Sequence, residues 1–528
     1  MNSSMKFALA VGLVFGVASP AAHAQAPKKG GVLNFAVVAE PPTYDCHATT
    51  TFATLHPVRP HYSGLLKFKG DVNSKIELVG DLAESFEQSK DGLTYTFKLR
   101  RNVKFHDGTP FTAADIKATY ERIVNPQAGI LSARKALHEN ITAIETPDDF
   151  TAVFKLNVPN ASMLNNFASP FNCVYSAKKL KEDQRYPEKA PMGTGPFVYV
   201  DYVKGATWEA KRFDQYFEAG RPYLDGYKAF FVKANSVVPG MQGGQFDAEF
   251  RGRTPKERDQ LVDAMKDNVT VQEGPWTTSV LLTFNTKRKP FDDVRVRQAL
   301  TMAVDRRAGA VPLSKISMLK FVGGLTRPGS EWALPDDELN KLPGYGTDIA
   351  KSREEAKKLL AAAGVTNLKI KLVNRNIAEP YTPAGIFVVS EWKKIGVDAE
   401  HLQLENKSYF DAQASGEFDA TVEFISDFVD DPSLQFVKFI SAKKSPVNVS
   451  GSEDAELDKL FDAQAATIDP VERRKLTQAF EKRAITQSYS MMLYWWQRIV
   501  VLNKKVKGWE LHASHFTGQD LAGVWLDQ

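Results

Sequence analysis

Cysteine is nearly absent: Cys46 and Cys173 are the two in 528 residues. Two thiols cannot staple a chain of this length, so its stability must come from packed cores. Outside the cytoplasm the pair is free to oxidise, but spacing does not say whether the two side chains meet. No long block of one charge sign occurs: 67 basic residues stand against 63 acidic ones, a formal charge of +4. That balance gives no support to nucleic-acid binding. There is no internal repeat, no low-complexity tract and no linker long enough to part independent domains. Beyond Ala24 no apolar run approaches the roughly 20 residues that a membrane-spanning helix needs.

Catalytic signatures are equally scarce. The chain has no Walker A loop, no G-x-S-x-G elbow and no H-E-x-x-H, and His138-Glu139 lacks a second histidine. S-x-x-K occurs twice, at Ser176 to Lys179 and Ser441 to Lys444, but without a K-T-G partner. Gly193-Thr194-Gly195 runs into Pro196, which has no N–H to offer a phosphate, so the segment reads as a turn. His512 and His515 have the spacing of one helix face, yet a metal needs three or four ligands, and the pair reads as solvated. His106 reads as a packing or turn residue. No metal and no cofactor is called for.

What is present is ordinary globular composition, 43% hydrophobic and 25% charged, which excludes wholesale disorder. The length predicts about three lobes, with room for a cleft between them. Met1 to Ala24 has the pattern of a secretory signal: Lys6, the apolar run Phe7 to Ala18, then Ala22-His23-Ala24 before the expected cut. No cysteine follows the cut, so no lipid anchor is expected, and the mature protein is expected to be free in the periplasm.

Strand and helix signals are mixed. Val32 to Val38 reads as a strand, and Leu93, Tyr95, Phe97 and Leu99 alternate as one face of another after the turn Lys90-Asp91-Gly92. Thr112 and Asp115 open a helix with Ile116, Tyr120, Ile123 and Val124 on one face. Asp292 opens a second. Ser352 with Glu355 opens a third, which stops at Gly364, and Asp469-Pro470 opens a fourth. The class is α/β, with lobes that share chain.

Several blocks go further. Gly80-Asp81-Leu82-Ala83-Glu84-Ser85-Phe86 leads through Asp91-Gly92-Leu93-Thr94-Tyr95 into Val103-Lys104-Phe105-His106-Asp107-Gly108-Thr109-Pro110-Phe111. Gly193-Thr194-Gly195-Pro196-Phe197, Arg221-Pro222-Tyr223-Leu224-Asp225, Val294-Arg295-Val296-Arg297-Gln298-Ala299-Leu300 and Trp392-Lys393-Lys394-Ile395-Gly396-Val397 follow in order. Together they resemble extracellular solute-binding protein family 5, the peptide and nickel-binding group of ABC importers.

The resemblance implies a two-lobed periplasmic binding protein (type II, cluster C) with an extra subdomain in lobe I and a hinged interlobe cleft. After the signal peptide (1–24), lobe I would take residues 25–60, the subdomain 61–185, lobe I again 186–284, lobe II 285–490 and a C-terminal return to lobe I 491–528. It implies capture of a small solute, foremost a short peptide, and delivery to ABC permease subunits in the inner membrane that work with separate ATPase subunits. The receptor would be a monomer and not an enzyme. The alternative keeps the role with a non-peptide ligand such as a metal chelate, haem, a sugar or an opine. A secreted hydrolase or a periplasmic chaperone would use the same cleft differently.

A zwitterion buried in such a cleft needs an acid for its amine and a planar cation for its carboxylate. By resemblance the acid is Asp427, in Phe424 to Pro432, although the usual Trp is missing and one residue is inserted before the Asp-Pro, so Asp430 or Asp431 stays open. Arg375, upstream of Trp392, is the cation. Phe428, Trp496 and Tyr44 are the aromatic candidates, and strand alternation turns Trp495 away from Tyr494 and Trp496.

Overall fold

The computed structural model describes residues 26–72, 74 and 76–528; the signal segment lies outside them. The chain enters by strand β1 (Val32–Val37). A hairpin of β2 (Leu66–Lys69) and β3 (Glu77–Gly80) follows. Next come β4 (Ala83–Gln88), β5 (Thr94–Leu99), β6 (Ile141–Asp148) and β7 (Thr151–Leu156), an antiparallel sheet in the order β4-β5-β7-β6. Tyr95, Phe97 and Leu99 face its core with Phe154 and Phe167, as their alternation predicts. The helix Ala113–Val124 covers this sheet, and the Asp115 carboxylate accepts from Thr112 N at 2.8 Å to close its capping box.

The chain then adds β8 (Phe197–Val203), β9 (Thr207–Arg212), β10 (Gly226–Phe231), β11 (Ala248–Glu249) and β12 (Val269–Phe284). Beyond these lie β13 (Leu319–Phe321), β14 (Lys369–Arg375), β15 (Asp398–Leu404), β16 (Ala420–Ser426) and β17 (Ser490–Asn503). They make one 11-stranded sheet, β15-β14-β16-β12-β17-β11-β1-β10-β9-β8, with β13 paired to β17 off that path. Its two ends build separate cores, one around Leu372, Trp392 and Val422, the other around Phe35, Tyr227 and Leu502.

Among the described residues, only β12 and β17 run through both ends. Val269 to Pro275 pair with Asn503 to Gln497, and Ser279 to Thr283 with Trp495 to Ser490, with the register broken between Pro275 and Ser279. A break there bends and twists the strands where the two halves meet.

Cys46 and Cys173 are bonded, with Cα atoms 6.1 Å apart across 127 residues of sequence. Three sequence expectations move. The second helix starts one residue later, at N-cap Asp293, whose side chain accepts from Arg295 N. The third starts at Asp348; Ser352 sits inside it and donates to the Asp348 carbonyl at 2.8 Å. Gly193 and Gly195 serve close packing as well as a bend: a Cβ on either would fall 2.4 Å from Tyr62 Cδ1 or Tyr62 N. Gly195→Ala should therefore lower stability by about 1–3 kcal/mol, read as the urea midpoint, because its obstacle is backbone that cannot rotate away.

The two S-x-x-K serines have structural work. Ser176 Oγ caps the helix Ala177–Glu182, and Ser441 Oγ accepts from Asp454 N at 2.9 Å.

Candidate ligand-binding cleft

β16 ends at Ser426, and the turn behind it delivers three acids in five residues. They have different fates. Asp431 is fully buried and holds Arg473 at 2.9 Å, Ser162 Oγ at 2.7 Å and Asn165 Nδ2 at 2.9 Å. Asp430 pairs with Arg327 at 2.6 Å. Asp427 has no ion-pair partner among the described residues; its Oδ1 accepts only from the N–H of Phe428, at 2.8 Å. Thr277 Oγ1 and Ser514 Oγ bind its carbonyl, not its carboxylate, and so fix the backbone beneath it.

Burial pushes the Asp427 carboxyl up to about 7, opposed by the Phe428 N–H and the facing charge of Arg134. An acid in this condition is poised to ionise when a cation arrives.

Arg375 ends β14. Its guanidinium carbon lies 5.1 Å from the ring centres of Tyr381 and Tyr409, 4.9 Å from Phe410 and 4.7 Å from Phe424. Its Nε is buried without a hydrogen-bond partner. The cation is thus held in position by ring faces, and its in-plane donors are left for a planar acceptor.

Between these two charges runs a wall of aromatic side chains. Trp496 lies 5.7 Å from Trp276 and 6.2 Å from Tyr381, and Tyr381 lies 6.3 Å from Phe424. On the other side Trp276 Nε1 donates to His515 Nδ1 at 3.1 Å. His515 can accept there because burial, with Arg251 nearby, keeps its pKa well below the ordinary value and the ring neutral. The indole Nε1 of Trp496 has no partner. Trp495 faces away and donates to the Gly324 carbonyl at 3.0 Å, as alternation predicts.

A cavity of about 790 Å³ opens beside Phe428. Phe68, Leu78, Asn165, Trp332, Phe428 and Ser514 are among the residues that line it. Its walls come from both sides of the β12–β17 break, a common arrangement for ligand clefts.

Of the expected site residues, Phe428 lines this cavity, Arg375 and Trp496 both lie against Tyr381, and Asp427 is tied by its carbonyl to Thr277, the neighbour of Trp276. Tyr44 does not join them: it packs edge-on against Trp208 at 5.0 Å and Tyr202 at 5.5 Å, on β8 and β9. The solvated histidine pair is corrected too. His512 and His515 are buried and lie in no helix. Trp276, Tyr381, Phe424 and Arg251 went unread, because each stands in a core-like or loop-like stretch and only the fold brings them together.

Comparison with known proteins gives the family. Residues 77–446 match the profile described as bacterial extracellular solute-binding proteins, family 5 Middle. A glutathione-binding protein of Pectobacterium atrosepticum is 31% identical over 332 residues, 60% of either chain. Di/tripeptide-binding protein 1 of Pseudomonas aeruginosa is 31% identical over 372 residues, 64% of this chain and 66% of the relative. The alignments thus span about two thirds or less of these relatives' lengths. The structure of the binding protein AgaA of A. tumefaciens R10 with agropinic acid superposes with a TM-score of 0.75 at 27% identity, covering 94% of this chain and 99% of that one.

Proposed function

The chain belongs to the bacterial extracellular solute-binding proteins, family 5, and on that premise we propose that it is the periplasmic receptor of an ABC importer for short peptides. The lobes meet at the break in β12 and β17, close over the ligand by a hinge there, and present the closed form to the membrane permease. Residues 25–60, 186–284 and 491–528 form lobe I, 61–185 its subdomain and 285–490 lobe II.

One observation carries the ligand reading. Among the three clustered acids only Asp427 makes no ion pair with a described residue, and across the aromatic wall Arg375 makes none with an acid. Closure over a ligand strips both half-buried charges of water, at several kcal/mol each unless they are compensated, and a peptide's two termini compensate both. Phe428 and Trp496 supply apolar wall. The peptide and glutathione ligands named for two relatives fit the same chemistry. Differential affinity for the closed form supplies the drive: a micromolar ligand provides roughly 8 kcal/mol in all.

The test is native mass spectrometry of the protein purified from its export compartment, followed by calorimetry with the masses found. A ladder of intact short peptides with micromolar affinity is the expected result. One co-purifying non-peptide mass would keep the receptor and overturn the peptide. Peptides cleaved on incubation would overturn capture without chemistry.

A further inference from the structure

The walls hold more positive charge than a zwitterion neutralises. Besides Arg375, two arginines on the opposite side stand without carboxylate partners among the described residues. Arg251 follows β11, lies 4.8 Å over the Phe52 ring and has an unpartnered Nε. Arg134 is 7% exposed, lies 4.8 Å over Phe171 and likewise has an unpartnered Nε. Arg251 is joined to the aromatic wall by contacts, since the Phe52 ring beneath it lies 6.0 Å from His515 and His515 lies 5.3 Å from Trp276, and the charge of Arg134 acts on Asp427.

The surrounding acids other than Glu379 are already committed. Glu249 is held by Arg253 at 2.7 Å, and Glu257 also contacts Arg253, at 3.4 Å. Arg498, behind Arg251, is saturated by the carbonyls of Phe250, Arg251, His512 and Ser514 and adds a further buried cation. Glu423 pairs with Lys438 at 2.7 Å. Glu379, two residues before Tyr381, is uncompensated, and burial favours its neutral form. A simple peptide would match Asp427 with its ammonium and Arg375 with its carboxylate, and would leave Arg251 half-buried and unmatched.

Building on the peptide-receptor reading, we infer that the cleft selects ligands carrying one ammonium and at least two carboxylates, with Arg251 the anchor for the second carboxylate. Guanidinium forks that are held by ring faces and bare at Nε suit this role, because their in-plane donors are already aimed and undersatisfied.

The probes are the near-isosteric dipeptides L-Ala-L-Glu and L-Ala-L-Gln, which differ by one negative charge. N-(1-carboxyethyl)-L-glutamate is the third probe; it has an amine and three carboxylates but no peptide bond. By calorimetry at pH 7.5, Ala-Glu should bind the wild-type chain about 10- to 100-fold more tightly than Ala-Gln. The preference should collapse towards unity in Arg251→Gln and survive in Arg251→Lys. Should Arg251→Gln fail to fold, the wild-type ratio still decides. Equal affinities would overturn the charge selection and leave the peptide receptor standing. A preference that persists in a folded Arg251→Gln would remove Arg251 as the anchor. Binding of the N-carboxyethyl compound alone would support the charge selection and overturn the peptide reading. No binding of any probe would overturn both.

Discussion

Asp427→Ala should raise the dissociation constant of an amine-bearing ligand by about 30- to 4,000-fold. The range is the roughly 2–5 kcal/mol typical when one partner of a desolvated charge pair is truncated. The loss is specific to this acid because Asp430 and Asp431 already hold Arg327 and Arg473 and cannot turn to the ligand without stranding those guanidiniums. Calorimetry on all three alanine variants makes the comparison. An Asp427→Ala protein that binds as tightly as wild type would place the amine elsewhere.

The same residue should show a trade between binding and stability. Folding raises the Asp427 carboxyl from its ordinary 3.8 to about 7. Between those values the folded chain keeps a proton that the unfolded chain has released, so this group costs stability as pH rises from about 4 to 7. Asp427→Asn removes that cost. The ligand-free variant should melt at or above wild type at pH 8, with the difference vanishing below pH 4. For the wild type, an arriving ammonium favours the ionised acid, so binding should release protons near pH 7. Calorimetry in buffers of different ionisation enthalpy would show that release, and buffer-independent heats would contradict it.

Local signals were readable wherever one short stretch contained the whole cause. The Thr112–Asp115 box, the Tyr95–Phe97–Leu99 face and the Asp469 cap with Pro470 behind it need only neighbours in sequence. Boundaries slipped where two caps competed, as at Asp292 and Asp293, or where a serine inside a helix mimicked its start, as at Ser352. Gly193 and Gly195 resemble a turn, but what they fit is the backbone of His61 and Tyr62, some 130 residues earlier, which no local reading contains. The cleft divides the same way. Asp427 and Arg375 stand in recognisable blocks, whereas Arg251, Trp276 and Tyr381 become a site only when β11, β12 and the helix Tyr381–Lys393 converge. Which of the three acids is unpaired was settled by Arg327 and Arg473, residues from distant chain.

The acid that does not face the ligand predicts the second large effect. Asp431 and Arg473 belong to the 285–490 segment proposed as lobe II, while Ser162 and Asn165 lie in the proposed subdomain. Arg473 also donates to Ser162 Oγ at 2.9 Å and to the Ala161 carbonyl at 3.4 Å, and Ala161 N donates to the Ala465 carbonyl at 2.8 Å. Burial pushes the Asp431 carboxyl up, but Arg473 and the surrounding donors overcome it and hold the group below the ordinary value. The pair is therefore fully charged at neutral pH, and its contribution is lost only as pH falls through that lowered value. Arg473→Met strands a buried carboxylate and should cost about 3–5 kcal/mol, read as the urea midpoint at pH 7. Ser162→Ala leaves the ion pair itself intact and removes two bonds to charged groups, one to Asp431 and one from Arg473, each worth about 1.5–3 kcal/mol. If these contacts form on closure, this variant should weaken ligand binding by at least about 100-fold although Ser162 does not line the cavity, and should leave the ligand-free melting temperature nearly unchanged. A large fall in ligand-free stability with unaltered affinity would instead make this contact a permanent weld between the lobes, and the hinge would have to lie elsewhere.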